Sequence, residues 1–296
     1  MSAAVAERMR WRPTVAGRRR SGRLFLLLCY AATAVGILAL VVLLADTLIK
    51  GAPGLSWQFL TSYPSRFAER SGLLAALVGT FYVAVIVVAV AFPIGIASAV
   101  WLEEYVSPGP LRRILETNIG NLAGVPSIIY GMLGLAVFVR ALSLQRSLLA
   151  GGLTIAILVL PIVIINAQEA LRAVPSGLRH ASFALGATRW ETIRHHVLPA
   201  ALPGILTGTI LALSRAIGEA APIILISSIA FIAFLPDSLL DSFTILPIQI
   251  FIWVSKPQAA FHAIAASAII VLLVMLLTMN AVAIVLRDRA RRGVGW

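Results

Sequence analysis

The sequence predicts an all-α integral membrane protein with six transmembrane helices, and its composition is the first sign of that class. Hydrophobic residues make up 60% of the 296 residues, and the mean hydropathy is +0.96. Charged residues make up only 12%, whereas soluble domains carry about 25%. The apolar residues also fall into stretches of about 20 residues, the length that a helix needs to cross the hydrocarbon core of a bilayer.

Six such stretches follow one another along the chain. The predicted spans are residues 24–45, 73–101, 119–139, 148–167, 202 to about 222–226, and 261–286. The apolar run of the fifth span continues to Leu235, which would give a helix of about 50 Å, too long for a core of about 30 Å. We therefore expect Gly218 and Pro222 to interrupt this helix. The remainder of the run is expected to form a short helix near the outer face, and residues 236–257 an outer loop.

The arginine and lysine residues indicate the orientation of these spans. With the N-terminus inside, 17 of the 24 basic residues lie on the inner side, six lie on the outer side and Arg215 lies within a span. This bias predicts that both termini are cytoplasmic. The net charge of +12 is then explained by topology and by contacts with membrane lipid, so no nucleic-acid partner is expected. We expect a basic, disordered tail at residues 1–23, a transmembrane domain at residues 24–290 and a short cytoplasmic tail at residues 291–296.

A charged segment between the fourth and fifth spans, residues 169–199, is predicted to lie outside the membrane. This segment, called the elbow below, contains no uncharged run long enough to cross a bilayer. Its pattern predicts a short helix at residues 181–185, ended by a left-handed turn at Gly186. A stiff helical elbow on one face of a membrane protein favours a role in contacting a partner. The alternative is a solvated loop that happens to be helical.

The second half of the elbow is predicted to form another helix. Thr188 and Glu191 have the spacing of a capping box, in which each side chain accepts a hydrogen bond from the other residue's backbone N–H. Leu198 and Pro199 are expected to end this helix near Val197 and to lead into the fifth span.

Arg215 and Glu219 are ionisable residues inside the predicted fifth span. Their spacing of four residues places both on one face of a helix. Arg215 lies about 20 Å along the helix from Leu202, at or past the midplane. Ionisable side chains inside a bilayer are costly and usually functional. The pair is interpreted either as an ion pair that fixes helix packing or as part of a substrate pathway, in which the arginine donates to an oxyanion.

Small residues and prolines in the third and fifth spans predict close helix packing or a gate. Pro126, Ser127 and Gly131 belong to the stretch GVPSIIYG in the third span, and Gly218 and Pro222 lie in the fifth. Small residues let membrane helices approach closely, and a proline frees a backbone carbonyl. Packing is the favoured interpretation, and a direct ligand role is the alternative.

The sequence contains no recognisable catalytic or metal-binding motif. Neither lysine lies in a phosphate-binding loop. His195 and His196 are adjacent and therefore point apart on a helix, and there is no H-E-x-x-H motif. The single cysteine, Cys29, provides neither an intrachain disulfide nor a metal cluster. We therefore expect no catalytic residue, no metal and no cofactor bound by this chain.

The elbow resembles the cytoplasmic EAA loop of ABC importer permeases, whose motif is E-A-A, three residues, G, about nine residues, an apolar residue and L-P. The matching positions are Ala181, Ser182, Gly186, Val197, Leu198 and Pro199. His180 occupies the glutamate position, which is a departure from the motif. The stretches ALGATRWETI, AGVPSIIYGMLGL and SRAIGEAAP are similar to the phosphate-importer permeases, and the AAP after Glu219 is more similar to the PstA-type subunit than to the PstC-type subunit. The resemblance covers about residues 70–290.

This resemblance implies a type I ABC importer permease fold in the cytoplasmic (plasma) membrane of a prokaryote. It implies that the chain pairs with a homologous PstC-type permease, that a cytoplasmic ATPase dimer docks on the elbow and uses ATP, and that an extracytoplasmic phosphate-binding protein delivers inorganic phosphate. The residues implied in coupling to the ATPase are Ala181, Ser182, Gly186, Ala187, Trp190, Leu198 and Pro199. Two alternatives stay open: an ABC permease for another oxyanion such as sulfate or molybdate, and an ATP-independent carrier or channel.

Overall fold

The computed structural model describes residues 15–227 and 231–293, and this part of the chain contains helices and no strand. The α-helices are α1 Val15–Gly51, α2 Trp57–Thr61, α3 Leu74–Val100, α4 Pro110–Ala123, α5 Ser127–Gly134, α6 Leu148–Arg172, α7 Ser176–Ala184, α8 Arg189–Thr192, α9 Leu198–Gly218, α10 Ala221–Ile226, α11 Leu246–Val254 and α12 Ala259–Gly293. Wider π-helical turns extend α3, α5 and α8 over Trp101–Tyr105, Leu135–Ala141 and Ile193–Val197.

The chain divides into two units, residues 1–49 and residues 50–296. The described part of the first unit is a single long helix, α1, which contains the first predicted span. Residues 15–23, expected to belong to a disordered tail, are helical because the arginines before the apolar run are themselves good helix formers. Residues 1–14 and 294–296 lie outside the described residues, so the remaining tail predictions are not tested.

The number of predicted spans is confirmed. Within the described residues, five helices are long and apolar enough to cross a membrane, and a sixth span results if one sharply bent pair of helices is counted as one. That pair is α4 and α5, which meet at an angle of 99°.

The third predicted span, residues 119–139, is thus formed by two helices and not by one, and a helix break lies inside it. The helix breaks at Gly124–Pro126 because proline disfavours helical backbone at the residue before it and lacks an N–H of its own. Pro126 has a ψ of 134°, outside the helical range. The Tyr130 hydroxyl then donates a hydrogen bond to the Leu122 carbonyl oxygen at 2.9 Å, which ties the two halves together across the bend.

The predicted interruption of the fifth span is confirmed: α9 ends at Gly218 and α10 begins at Ala221. The predicted helix end at Leu198-Pro199 is wrong, since α8, its π-helical turn and α9 form one continuous helical segment from Arg189 to Gly218. A proline ring clashes with the carbonyl four residues earlier in a regular helix. The wider π-helical turn over Ile193–Val197 lies just before Pro199, where such a clash would fall, so the helix continues instead of ending.

The segment after α10 also differs from the expectation. Residues 231–235, expected to be helical, are irregular, while residues 228–230 lie outside the described part of the chain. The predicted outer loop contains a helix, α11, whose Leu246, Ile248 and Trp253 side chains are buried. The Leu246 backbone N–H donates to the Thr80 hydroxyl at 2.9 Å, which fastens the start of α11 to α3.

Four apolar clusters hold the described part of the second unit together, and the three larger ones position the elbow and the interrupted spans. The middle cluster joins α3 and α6 through Val87, Ile155 and neighbouring side chains, with Tyr130, Ile223 and Phe243 from the shorter segments. A second cluster, near the elbow, contains Val100, Leu171, Ile193 and Val197. A third, at the opposite end of α3, contains Phe59, Leu73, Trp253 and Phe261. The elbow therefore packs on the second cluster, and the two interrupted spans meet in the middle cluster.

Candidate transport pathway and coupling elbow

The first helix of the elbow, α7, ends in a Schellman motif centred on Gly186. Gly186 has a φ of +85°, in the left-handed region that the sequence predicts. The Gly186 N–H donates to the Phe183 carbonyl oxygen at 3.0 Å, and the Ala187 N–H donates to the Ser182 carbonyl oxygen at 3.2 Å. The helix is longer than predicted and begins at Ser176, because Pro175 supplies the fixed, non-helical residue ahead of its first turn.

The second helix of the elbow, α8, begins with the predicted capping box. The Thr188 hydroxyl accepts from the Glu191 N–H at 3.3 Å, and the Glu191 carboxylate accepts from the Thr188 N–H at 2.8 Å. The Thr188 hydroxyl also donates to the same carboxylate at 2.7 Å.

A buried hydrogen bond joins the two helices of the elbow. The Ser182 and Thr192 hydroxyl oxygens are 2.8 Å apart, and both residues are buried. Ile193 and Val197 pack below them into the cluster formed by the ends of α3 and α6. Since a buried hydroxyl without a partner is costly, this pair fixes the angle between α7 and α8.

The opposite side of the elbow presents apolar side chains to the surroundings. Leu185 is 90% exposed and Trp190 is 56% exposed, with Phe183 exposed beside them. Of the other residues predicted for coupling, Ala181 is exposed while Ala187, Leu198 and Pro199 are half-buried. Ala181 also lines an apolar groove of about 640 Å³ that α7 forms with α6 and the start of α9. Exposed apolar residues on a rigid hairpin form the kind of surface that contacts another protein.

The elbow is tied to the rest of the second unit by ion pairs that the sequence analysis missed. The Arg179 guanidinium of α7 donates to the Glu104 carboxylate in the π-helical turn after α3, with a closest distance of 2.6 Å. The adjacent Glu103 accepts from Arg172 and Arg112. The sequence analysis assigns no role to Glu103 and Glu104. The pattern that would have revealed the pairs is the presence of acidic and basic residues at span ends on the same predicted side of the membrane.

Arg215 and Glu219 lie together, as their spacing predicts. The Arg215 Nε is 3.4 Å from a Glu219 carboxylate oxygen, and the side chains are 52% and 21% exposed. Glu219 occupies the break between α9 and α10. Arg215 shares an exposed stripe of α9 with Gly204, Leu211 and Gly218, so the guanidinium lies on the surface of this chain rather than inside its core.

The residues predicted for packing or gating bring the two interrupted spans together. A Cβ atom built on Gly131 of α5 would lie 2.7 Å from the Cα atom of Pro222, the second residue of α10. Pro126 and Ser127 lie at the start of α5, directly after the bend. A Cβ at Gly218, by contrast, would meet nothing within 4 Å among the described residues.

The described part of the chain thus has two interrupted helices in contact, a charged pair at one interruption and a helical elbow. Residues 91–292 match the family of binding-protein-dependent transport system inner membrane components. The chain belongs to this family. This inner membrane component is therefore a multi-pass membrane transport subunit.

Several relatives of this inner membrane component are named as permeases. The phosphate transport system permease protein PstA 1 of Mycobacterium tuberculosis (strain ATCC 25618 / H37Rv) is 34% identical over 229 residues, which cover 77% of this chain and 73% of the relative. The PstA protein of Haemophilus influenzae is 31% identical over 264 residues, covering 88% and 93%. The probable ABC transporter permease YqgI of Bacillus subtilis is 35% identical over 185 residues, and the chain spans 63% of its length.

Solved structures of ABC transporters share the fold. A bacterial ABC transporter for the acidic polysaccharide alginate matches with a TM-score of 0.66 at 17% identity, covering 94% of this chain and 99% of that chain. The methionine transporter MetNI, in an inward-facing form, matches with a TM-score of 0.59 at 18% identity, covering 74% and 94%. The inner membrane component therefore has the type I ABC importer permease fold that the sequence predicts.

Proposed function

We propose that this chain is the transmembrane permease subunit of an ATP-driven importer of inorganic phosphate in the cytoplasmic membrane of a prokaryote. It forms half of the translocation pathway and pairs with a homologous PstC-type permease. A separate cytoplasmic ATPase dimer binds and hydrolyses the ATP, and an extracytoplasmic phosphate-binding protein delivers the substrate. The similarity to PstA proteins supports the choice of phosphate, and the pair Arg215–Glu219 is the single structural observation that carries the pathway.

Arg215 is suited to bind an oxyanion as it crosses the membrane. A guanidinium presents planar, paired N–H donors that match two oxygens of a phosphate. Its present partner, Glu219, is held at 3.4 Å, a weak contact that an incoming anion can replace. Because Glu219 sits at a break in the helix, its backbone can adjust without disrupting a continuous ladder of hydrogen bonds.

The location of Arg215 indicates how the pathway is completed. A half-exposed guanidinium in a membrane span is unfavourable if it faces lipid. The stripe of α9 formed by Gly204, Leu211, Arg215 and Gly218 therefore faces the partner permease, and the pathway lies between the two subunits. Residues of the partner supply the remaining donors to the anion.

The elbow supplies the coupling to ATP hydrolysis. Its exposed Leu185 and Trp190 contact the ATPase, while the buried Ser182–Thr192 hydrogen bond keeps α7 and α8 in a fixed arrangement. Because α8 continues without interruption into α9, a displacement of the elbow reaches the helix that carries Arg215. ATP-driven closure of the ATPase dimer then changes the side of the membrane to which the Arg215 region is open.

Phosphate uptake by the reconstituted complex tests this proposal. Arg215→Ala is expected to abolish uptake while the complex still assembles, and Arg215→Lys to retain only a small part, because an ammonium group lacks the planar pair of donors. Arg113→Ala, which removes an exposed arginine of α4, is the matched control and should transport normally. Normal uptake by Arg215→Ala would contradict the role of this residue.

Competition distinguishes phosphate from other oxyanions. Sulfate and molybdate are expected to leave the uptake of labelled phosphate unchanged at concentrations at which unlabelled phosphate abolishes it. Inhibition by one of them would instead identify a permease for that anion. Flux through liposomes that contain this chain alone would favour an ATP-independent carrier or channel.

A further inference from the structure

The side chain of Arg179 joins three helical segments that converge below the membrane-spanning bundle. Its own backbone belongs to α7 of the elbow. The guanidinium donates to the Glu104 carboxylate from Nη2 at 2.6 Å and from Nε at 3.1 and 3.3 Å. It also donates to the backbone carbonyl oxygens of Val174 at 2.9 Å and Leu171 at 3.0 Å, at the end of α6.

The environment of this ion pair makes it stronger than a surface salt bridge. The Arg179 and Glu104 side chains are only 19% and 11% exposed, so water and salt screen the pair less than they screen an exposed one. Two guanidinium nitrogens approach the one carboxylate, which fixes its direction as well as its distance. The carbonyls of Leu171 and Val174 lie at and just beyond the last turn of α6, where backbone carbonyls lack the regular helical N–H partner four residues on.

The neighbouring charges hold Glu104 in place. Glu103, the adjacent residue, accepts from Arg172 at 2.7 Å and from Gln168 at 3.1 Å, both in α6, and also from Arg112 in α4. Glu116 of α4 accepts from Arg172 at 2.6 Å and from Arg112 at 2.9 Å. The end of α3 is therefore anchored on both sides, to α4 and α6 through Glu103 and to α7 through Glu104.

The charges of this cluster balance, which argues against a ligand site. Three acidic residues, Glu103, Glu104 and Glu116, face three arginines, and every guanidinium already lies against a carboxylate. No charge is left over to attract an ion. The arrangement is that of a structural connection between segments.

Chain continuity alone cannot carry a movement of the elbow to α3. The elbow is covalently joined to α6 on one side and to α9 on the other, whereas Glu104, just after α3, is 75 residues away from Arg179 in the sequence. We propose that the Glu104–Arg179 pair is the positioning contact that, in addition to the apolar packing of Ile193 and Val197 against the end of α3, makes α3 move with the elbow when the ATPase closes. This inference rests on the proposed function, since it assigns a role in coupling to a contact outside the ATPase-binding surface and outside the Arg215 pathway.

Charge reversal and charge exchange test this contact in the complete complex of both permeases and the ATPase dimer. Arg179→Glu and Glu104→Arg each place two like charges together in a poorly screened site. We expect each variant to assemble with the ATPase but to lose the stimulation of ATP hydrolysis by substrate about tenfold or more. The double variant, which exchanges the two charges, should recover part of the stimulation. Recovery is incomplete because position 179 then no longer donates to the Leu171 and Val174 carbonyls. Arg113→Glu is the matched control, since it reverses an exposed arginine next to Arg112.

A distance measurement makes the test independent of the substrate. Spin labels on Gly177→Cys in the elbow and Ile94→Cys in α3, both exposed positions, report how firmly the two elements are joined in a Cys29→Ser background. The distance distribution should be narrow in the parent protein, broad in either single reversal and narrow again in the double variant. If the parent complex takes up no phosphate, the proposed function is overturned. The distance measurement does not depend on the substrate, so it still shows whether the Glu104–Arg179 contact joins the two elements. Narrow distance distributions and full stimulation of ATP hydrolysis in the single variants would overturn the proposed role of this contact. So would a double variant whose distance distribution is as broad, and whose stimulation is as weak, as in the single variants.

Discussion

Gly131 of α5 lies directly against the backbone of Pro222 of α10, with no room for a side chain between them. A Cβ atom on Gly131 would lie 2.7 Å from both the Cα atom and the carbonyl oxygen of Pro222, distances that real Cβ atoms essentially never show. Each residue belongs to a helix that begins after a break in a membrane span. The contact therefore fixes two interruptions against each other, one of them next to Glu219.

Gly131→Ala is expected to lower the thermal stability of the solubilised protein and its transport activity. The added methyl group must displace backbone, and overpacking of this kind typically costs about 1–3 kcal/mol. Gly120→Ala in α4 is the control, because a Cβ there meets nothing within 4 Å, and alanine in an exposed helix gains up to about 1 kcal/mol over glycine. Thermal unfolding in detergent compares the two variants. A Gly131→Ala protein as stable as Gly120→Ala would show that α5 and α10 separate readily.

Gly186→Ala is expected to weaken coupling between ATP hydrolysis and transport without preventing insertion in the membrane. An alanine at a φ of +85° is strained by about 1–2 kcal/mol, so the turn between α7 and α8 opens more often. Gly186→Asn should retain more coupling, since asparagine tolerates the left-handed region better than alanine does. Gly177→Ala, a helical and open position in the same elbow, should behave as the parent. The ratio of phosphate transported to ATP hydrolysed is the measurement, and equal ratios in all three variants would contradict the prediction.

Thr192→Val is expected to loosen the elbow by leaving the buried Ser182 hydroxyl without its partner. The cost of such an unpaired group is about 1–3 kcal/mol, whereas removal of both hydroxyls together can be nearly neutral. The double variant Ser182→Ala/Thr192→Val should therefore be more rigid than Thr192→Val alone. Hydrogen exchange at the backbone of α7 and α8 measures this difference. Exchange rates that rise additively in the double variant would mean that the 2.8 Å contact contributes nothing.

Leu185→Ser is expected to weaken binding of the ATPase to the permease while leaving the permease folded. The Leu185 side chain is 90% exposed, so its removal costs no core packing. An apolar side chain buried at the centre of an interface contributes about 2 kcal/mol or more, which corresponds to a loss of affinity of about 30-fold. Leu111→Ser, at an exposed position of α4, is the control. Retention of the ATPase by Leu185→Ser at the level of this control would place the docking surface elsewhere.

Much of the fold follows from sequence patterns that act over a few residues. The membrane spans, the left-handed turn at Gly186, the capping box of Thr188 and Glu191, and the break near Gly218 are all set by local physics: apolar length, backbone freedom and side-chain hydrogen bonds to nearby N–H groups. The same local reasoning failed at two prolines. A sharp bend that was not predicted lies at Pro126 in the third span. At Pro199, by contrast, the helix that was predicted to end continues.

The tertiary structure decided which distant residues meet. The sequence by itself determined a six-span membrane protein with an elbow and an arginine–glutamate pair four residues apart. Only the folded chain places Gly131 on Pro222, packs α11 against α3 and brings Arg179 to Glu104. Each of these contacts joins positions that are 75 or more residues apart in the sequence. Local propensity carries no information about such pairs. They arise because each helix must bury its apolar face, and the charges at the helix ends are then held within reach of one another.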